Sequence, residues 1–276
     1  MSRVDSPLEQ PVLELTFSEA ELAERTDRIT TFIDDMVERA GADGVVLGLS
    51  GGIDSTTVAY AAVEALGPDA VLGLSMPSTV TDERNITDAE RIGEELDIRI
   101  EEIEIEPIVD AFLNAYPDAA DDRMATGNLQ VRIRAVLNYL LANAEDRLVL
   151  GTGNRSEAMT GYYTKYGDGA VDCHPLGNLY KCQVRQLARS LGVPEDLVTK
   201  TPSAEMWSGQ SDEEELGLTY DTLDAILATH IDGPLSKSAT AATLDIAPGT
   251  IEHVEDLVTA SEHKRHMPPS PPSDTF

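Results

Sequence analysis

The stretch Val45-Val46-Leu47-Gly48-Leu49-Ser50-Gly51-Gly52-Ile53-Asp54-Ser55 decides the fold. Its first five residues form a dense apolar run, suited to a parallel strand buried on both faces. The glycine pair ends that run, and residues 55–66 then read as a helix with Val58, Ala61, Ala62 and Ala65 turned inward. A turn between such a strand and helix lies at the carboxyl edge of the sheet, where open α/β sheets bind ligands.

The turn is built to receive an anion. Gly51 and Gly52 let backbone N–H groups converge without side chains in the way. The helix N-terminus adds partial positive charge, and Ser50 and Ser55 supply hydroxyls. Asp54 would repel a phosphate unless a divalent cation lay between them. The plainer reading is a tight turn with Ser55 as a helix cap. No G-K-[ST] follows, so this is not a Walker A loop.

Outward from this turn the pattern alternates. Upstream, Ser18 and Glu21 form an S-x-x-E capping box for an amphipathic helix that ends at Gly41. Downstream come a strand at 71–76, a helix at 81–96 and an edge strand at 98–105. Helices at 107–115 and 127–143 precede another buried strand at 148–150. This alternation predicts an α/β fold, a doubly wound parallel sheet (Rossmann-like) flanked by helices. Residues 152–178 read as an active-site loop, followed by extra C-terminal helices at 180–191, 219–229, 234–243 and 248–265. An acidic segment at 208–217 joins the first two of these. The expected organisation is an N-terminal arm at 1–17, a single domain at 18–267 and a Pro-rich tail at 268–276.

Composition narrows the setting. Fifty acidic residues against twenty basic ones give a formal charge of −30. Such a surface disfavours nucleic acid, which needs basic patches. The acids are spread along the chain, which points to a halophilic surface whose self-repulsion molar salt screens. The two cysteines, Cys173 and Cys182, suggest neither a disulfide framework nor a zinc cluster. His174, His230, His253 and His266 lack ligand-like spacing. The apolar runs are too short to span a membrane, and no secretory leader is evident, so a cytoplasmic protein is expected.

The loop resembles the SGGxDS signature of ATP pyrophosphatases, which cleave ATP between its α and β phosphates. Further motifs sharpen this. They are Gly151-Thr152-Gly153-Asn154-Arg155-Ser156-Glu157, the run Gly161-Tyr162-Tyr163-Thr164-Lys165-Tyr166-Gly167-Asp168-Gly169, and Leu179-Tyr180-Lys181-Cys182-Gln183-Val184-Arg185. Thr201-Pro202-Ser203-Ala204-Glu205, Gln210-Ser211-Asp212-Glu213 and Glu262-His263-Lys264-Arg265 follow in order. Together they resemble the ammonia-dependent NAD synthetase family, whose fold is adenine nucleotide alpha hydrolase-like.

The resemblance implies a ligase that turns deamido-NAD+, ATP and ammonia into NAD+, AMP and pyrophosphate through an acyl adenylate. ATP would sit on Ser50, Gly51, Gly52, Ile53, Asp54 and Ser55, with Arg134, Thr152, Lys181 and Ser203. Asp54 and Glu157 would hold Mg2+. Asn128, Arg132, Lys165, Asp168, His263 and Lys264 would take the dinucleotide, with Asp168 and Lys181 catalytic. A homodimer is implied, with the helix carrying Gly127-Asn128-Leu129-Gln130-Val131-Arg132-Ile133-Arg134 at its interface. Arg132 and Arg134 lie about 200° apart on that helix, so they serve different clients.

Plainer readings stand beside several of these roles. Lys181 also reads as a surface lysine, though five lysines in the chain weaken that reading, Asp168 as part of an Asp-Gly turn, and residues 263–265 as cations at a helix C-terminus. No room remains for a glutamine-hydrolysing domain, so free ammonia or a separate donor protein is expected. Residues 203–217 and the loop near 82–85 are the candidate lids. The rival readings are another ATP pyrophosphatase, amide-forming or tRNA-thiolating, and a non-catalytic adenylate-binding protein.

Overall fold

Among the described residues of the computed structural model, the sheet has four parallel strands in the order β3-β2-β1-β4. Those residues are 15–204, 206, 207 and 209–271. The strands are β1 (Gly44–Gly48), β2 (Val71–Ser75), β3 (Arg99–Glu102) and β4 (Arg147–Val149). Register pairs Val46 with Leu72 on one side and with Val149 on the other. Strand order reverses between β1 and β4, which opens a crevice at their carboxyl ends.

Among the described residues twelve α-helices surround it: α1 (Glu19–Ala40), α2 (Ile53–Leu66), α3 (Glu83–Glu95), α4 (Glu106–Ala115), α5 (Arg123–Ala144), α6 (Arg155–Thr160), α7 (Lys181–Ser190), α8 (Glu195–Val198), α9 (Asp212–Leu216), α10 (Tyr220–Ile226), α11 (Lys237–Leu244) and α12 (Pro248–Ala260). The apolar alternation of β1 sorts them into layers. Val45, Leu47 and Leu49 pack with Ile29, Ile33, Val58, Ala62, Ile92, Val184 and Leu187, the layer of α1, α2, α3 and α7. Val46 turns the other way, with Leu72, Leu74, Val109, Ile133 and Leu137, the layer of α4 and α5. A third cluster joins α9, α10 and α12 around Tyr220, Leu223, Ile226, Ile251 and Val254. Among the described residues no helix is long and apolar enough to cross a membrane.

Local signals explain most boundaries. The capping box at α1 forms, with Ser18 and Glu21 bonding reciprocally, and Gly41 closes the helix at φ 67°. The edge strand is shorter than the 98–105 expected. After Glu102 the chain turns inward to bury Ile105, and Pro107 sits in the first turn of α4. Helix α5 begins a turn before the expected 127, because Asp122 caps it by accepting from the Ala125 amide at 3.0 Å. The stretch 152–178 is not all loop, since α6 forms there on an Asn154–Glu157 capping box. The acidic segment contains α9. The helix expected at 219–229 gives way to a wider π turn at Leu227–Ile231, and that expected at 248–265 stops at Ala260.

The arm expected at 1–17 is described only from Leu15. There the Leu15 carbonyl and Phe17 amide bond to the Gln186 side chain at 2.9 and 2.8 Å. Residues 1–14, Glu205, Ser208 and 272–276, the end of the expected tail, lie outside the described residues.

Candidate active site

The loop after β1 lies beneath a cavity of about 750 Å3. Gly51 sits at φ 71°, and a Cβ there would strike the Asn85 carbonyl oxygen, so glycine is required on two counts. The Ser50 and Ser55 hydroxyls are 3.1 Å apart, and Ser55 Oγ accepts from the Ser50 amide at 3.2 Å. Ile53 opens α2, which places Asp54 in its first turn. Helix N–H groups therefore face the cavity floor, where an anion is favoured.

Three charged groups meet beside the loop. The Lys181 ammonium, 2% exposed, donates to the Asp54 carboxylate and lies 3.3 Å from Glu157 Oε1. Burial alone would discharge this lysine, but Asp54 and Glu157 outweigh it and raise its pKa. Burial raises the Glu157 carboxyl above the ordinary carboxylate range, with Lys181 opposing and Asp54 reinforcing. Asn154 ties the loops together: its amide donates to Asp54 at 3.0 Å, and its Oδ1 accepts from the Glu157 N–H at 3.1 Å. Beneath them the fully buried Asp224 accepts from the Ser156 hydroxyl and, at 2.8 Å, from the Cys182 amide. Ser156 in turn accepts from the Lys181 amide at 2.9 Å. The residues next to Glu157 and Lys181 are thus knotted to one carboxylate.

The far wall comes from the 161–169 loop. Asp168 Oδ1 accepts from the Thr164 amide at 2.7 Å, and Thr164 donates its hydroxyl to Asn128 at 2.8 Å. Asp168 opens to water on one side, while the protein packed around its other sides raises its pKa to about 6 by burial. Lys264 spans from the C-terminus, donating to the Gly161 and Tyr163 carbonyls at 2.7 Å each. Thr152, Ser203 and Arg134 also line the cavity, and Arg134 donates to the Met76 carbonyl at 3.0 Å.

A family model for NAD synthase matches residues 25–268. The chain belongs to the NAD synthase family. The NH(3)-dependent NAD(+) synthetase of Halobacterium salinarum is 62% identical, over 94% of this chain and 97% of that protein. Among solved structures, the NMN synthetase from Francisella tularensis matches with a TM-score of 0.80 at 35% identity, covering 93% of this chain and 99% of its own. The NH3-dependent NAD synthetase from Campylobacter jejuni matches with a TM-score of 0.75 at 30% identity, covering 90% and 98%.

As an NAD synthase, the chain keeps four of its expected site residues off the cavity walls: Gly51, which faces α3, and three more. Arg132, Lys165 and His263 form a neighbouring cluster, in which Arg132 donates to the Lys165 carbonyl at 3.2 Å and Lys165 to the His263 carbonyl at 2.6 Å. Arg132 and Arg134 thus have different clients, as their angular offset requires. Arg265 satisfies helix ends, donating to the Met159 and Val258 carbonyls at 2.7 Å. Sequence reasoning missed Lys200, Asn154 and Asp224. The N-x-x-E pattern could have found Asn154, and the scarcity of lysine, five in the chain, could have drawn attention to Lys200.

Proposed function

We infer that this NAD synthase makes NAD+ by amidating deamido-NAD+ with ammonia at the expense of ATP. The observation that carries this is the Lys181 ammonium held between Asp54 and Glu157 beside a phosphate-binding loop, in a cavity that extends to Asp168. The name of the Halobacterium salinarum relative supports ammonia as the nitrogen source.

The chemical problem is that a carboxylate is a poor electrophile. Its oxygen attacks the α-phosphorus of ATP, the bond to the β-phosphate oxygen breaks, and pyrophosphate leaves. Ammonia then adds its lone pair to the acyl carbon, loses a proton, and AMP departs with the original carboxylate oxygen. The loop amides and Lys181 stabilise the negative charge that gathers on the departing pyrophosphate. Asp168, deprotonated at neutral pH, accepts the proton from the attacking nitrogen. Residues 201–204, Met206, Trp207 and Gln210 wall the cavity and keep water from the adenylate.

The donor set fits Mg2+. Asp54 and Glu157 present hard carboxylate oxygens to one point, the Lys181 ammonium, from two separate elements. Among the described residues they belong to no larger cage of His, Cys, Asp or Glu, as suits an ion whose shell is completed by phosphate and water. Bound there, Mg2+ would neutralise phosphate charge.

A second copy of the chain completes the reading. Arg132, Val136 and Leu140 recur at four-residue intervals on the outer face of α5, and Val136 and Leu140 are 67% and 58% exposed. Phe112 on the adjoining α4 is exposed as well, and such apolar exposure suits a homodimer interface. The mechanism is tested by labelling both carboxylate oxygens of deamido-NAD+ with oxygen-18. One label should appear in AMP, and AMP without label would reject the acyl adenylate.

A further inference from the structure

Lys200 lines the cavity at the start of the segment that walls it, and its ammonium makes two contacts that the chemistry above does not use. It donates to the Gly51 carbonyl at 2.9 Å and to Asp88 Oδ2 at 2.7 Å. Asp88 projects from α3 and is 5% exposed, and its other oxygen lies 3.6 Å from Arg91. The loop and α3 are in direct contact, since a Cβ on Gly51 would lie 3.1 Å from Asp88 Cβ.

We propose that Lys200 is a positioning residue that holds the Gly51–Gly52 peptide with its N–H turned toward the nucleotide phosphates. A trans peptide is planar, so the Gly51 oxygen and the Gly52 hydrogen point in opposite directions. Fixing the oxygen behind the loop therefore fixes the N–H in front of it, where Gly52 lines the cavity and its N–H makes a long 3.3 Å bond to Ser50 Oγ that a phosphate oxygen would replace. Two glycines supply no side chain to do this, and both residues flanking the peptide have wide conformational freedom. A cation on the carbonyl also polarises the peptide and strengthens the N–H as a donor. Asp88 has its own part: it anchors the ammonium against the Gly51 carbonyl. The chain runs from Lys200 directly into Thr201, Pro202 and Ser203, so the same contact pins one end of the cavity wall to the floor.

This role rests on the ATP reading of the loop and is tested without turnover. Full-length wild type, K200M, K200R and D88N are titrated with Mg·ATP by calorimetry, and KM for each substrate is measured separately. K200M should weaken ATP binding about tenfold or more, the range for a lost charge-assisted hydrogen bond. KM for deamido-NAD+ should stay unchanged. K200R should restore most of the affinity, because a guanidinium can still donate to both oxygens. D88N should weaken ATP binding in the same direction as K200M. Wild-type ATP affinity in K200M, or a loss that K200R does not restore, would overturn the proposal. So would tighter ATP binding in D88N, which would make Lys200 a direct phosphate ligand. A wild type that binds Mg·ATP but forms no NAD+ would reject the reaction instead and leave this comparison readable.

Discussion

The Lys181 ammonium donates to the carboxylate of Asp54, a residue 127 positions earlier in the chain. That contact joins the first turn of α2 to the first turn of α7, across the crevice between β1 and β4. It makes Lys181 a buried point charge, available to phosphate once Asp54 has another cation to bind. K181M should lower kcat at least about 100-fold, the range for removing one preorganised stabilising donor. K181R should recover little, because a planar guanidinium does not fit a slot shaped around an ammonium. Steady-state NAD+ formation checks both, and near-normal turnover in K181M would remove Lys181 from the mechanism.

As the proposed proton acceptor, Asp168 should set the acid limb of activity. Its carboxyl is raised from 3.8 to about 6, so it loses the charge needed to accept a proton as pH falls through that value. The kcat profile should therefore drop below about pH 6. An ordinary carboxylate would move that limb about two units lower. D168N should leave a low, flat profile over the same range, and an unchanged limb in D168N would assign it to another group.

Gly127 lies inside α5, where glycine is a poor helix former. The reason for it is contact: a Cβ there would lie 2.7 Å from Met206 Cε and 3.1 Å from Met206 Cβ, on the segment that walls the cavity. Arg123, one turn earlier, stacks 4.3 Å from the ring centre of Trp207, the chain's only tryptophan. G127A should leave the helix as stable or up to about 1 kcal/mol more stable, yet raise KM for ATP several-fold by displacing the wall. Thermal unfolding, kinetics and Trp207 fluorescence separate the two effects. A destabilised G127A with normal kinetics would contradict this account.

How much of this was legible in the sequence varies by residue. The buried run at 45–49 and the glycine pair after it announced the sheet and its ligand edge, because few backbones satisfy both. Helix α6 was missed because six residues show no periodicity, although its Asn154–Glu157 capping box was there to read. Lys200 lies in no motif, and its importance comes from a contact with Gly51, 149 residues away. The motifs also could not reveal that Arg132, Lys165 and His263 gather beside the cavity and not on its walls. Spacing along a chain carries no information about which side of a loop a side chain faces.

The charge of −30 carries its own expectation. Screening of self-repulsion should raise the unfolding temperature on the order of 10 °C between about 0.1 M and 2 M potassium chloride. Calorimetric scans across that range check it, and maximal stability in dilute buffer would contradict a salt-adapted surface.

The most direct measurement is product analysis with ATP, Mg2+ and ammonium, offering deamido-NAD+ and nicotinic acid mononucleotide in parallel. The mononucleotide matters because one structural neighbour is an NMN synthetase. The account predicts AMP and NAD+ in equal amounts, with deamido-NAD+ strongly preferred. ADP as product, ATP cleavage indifferent to deamido-NAD+, or preference for the mononucleotide would contradict it.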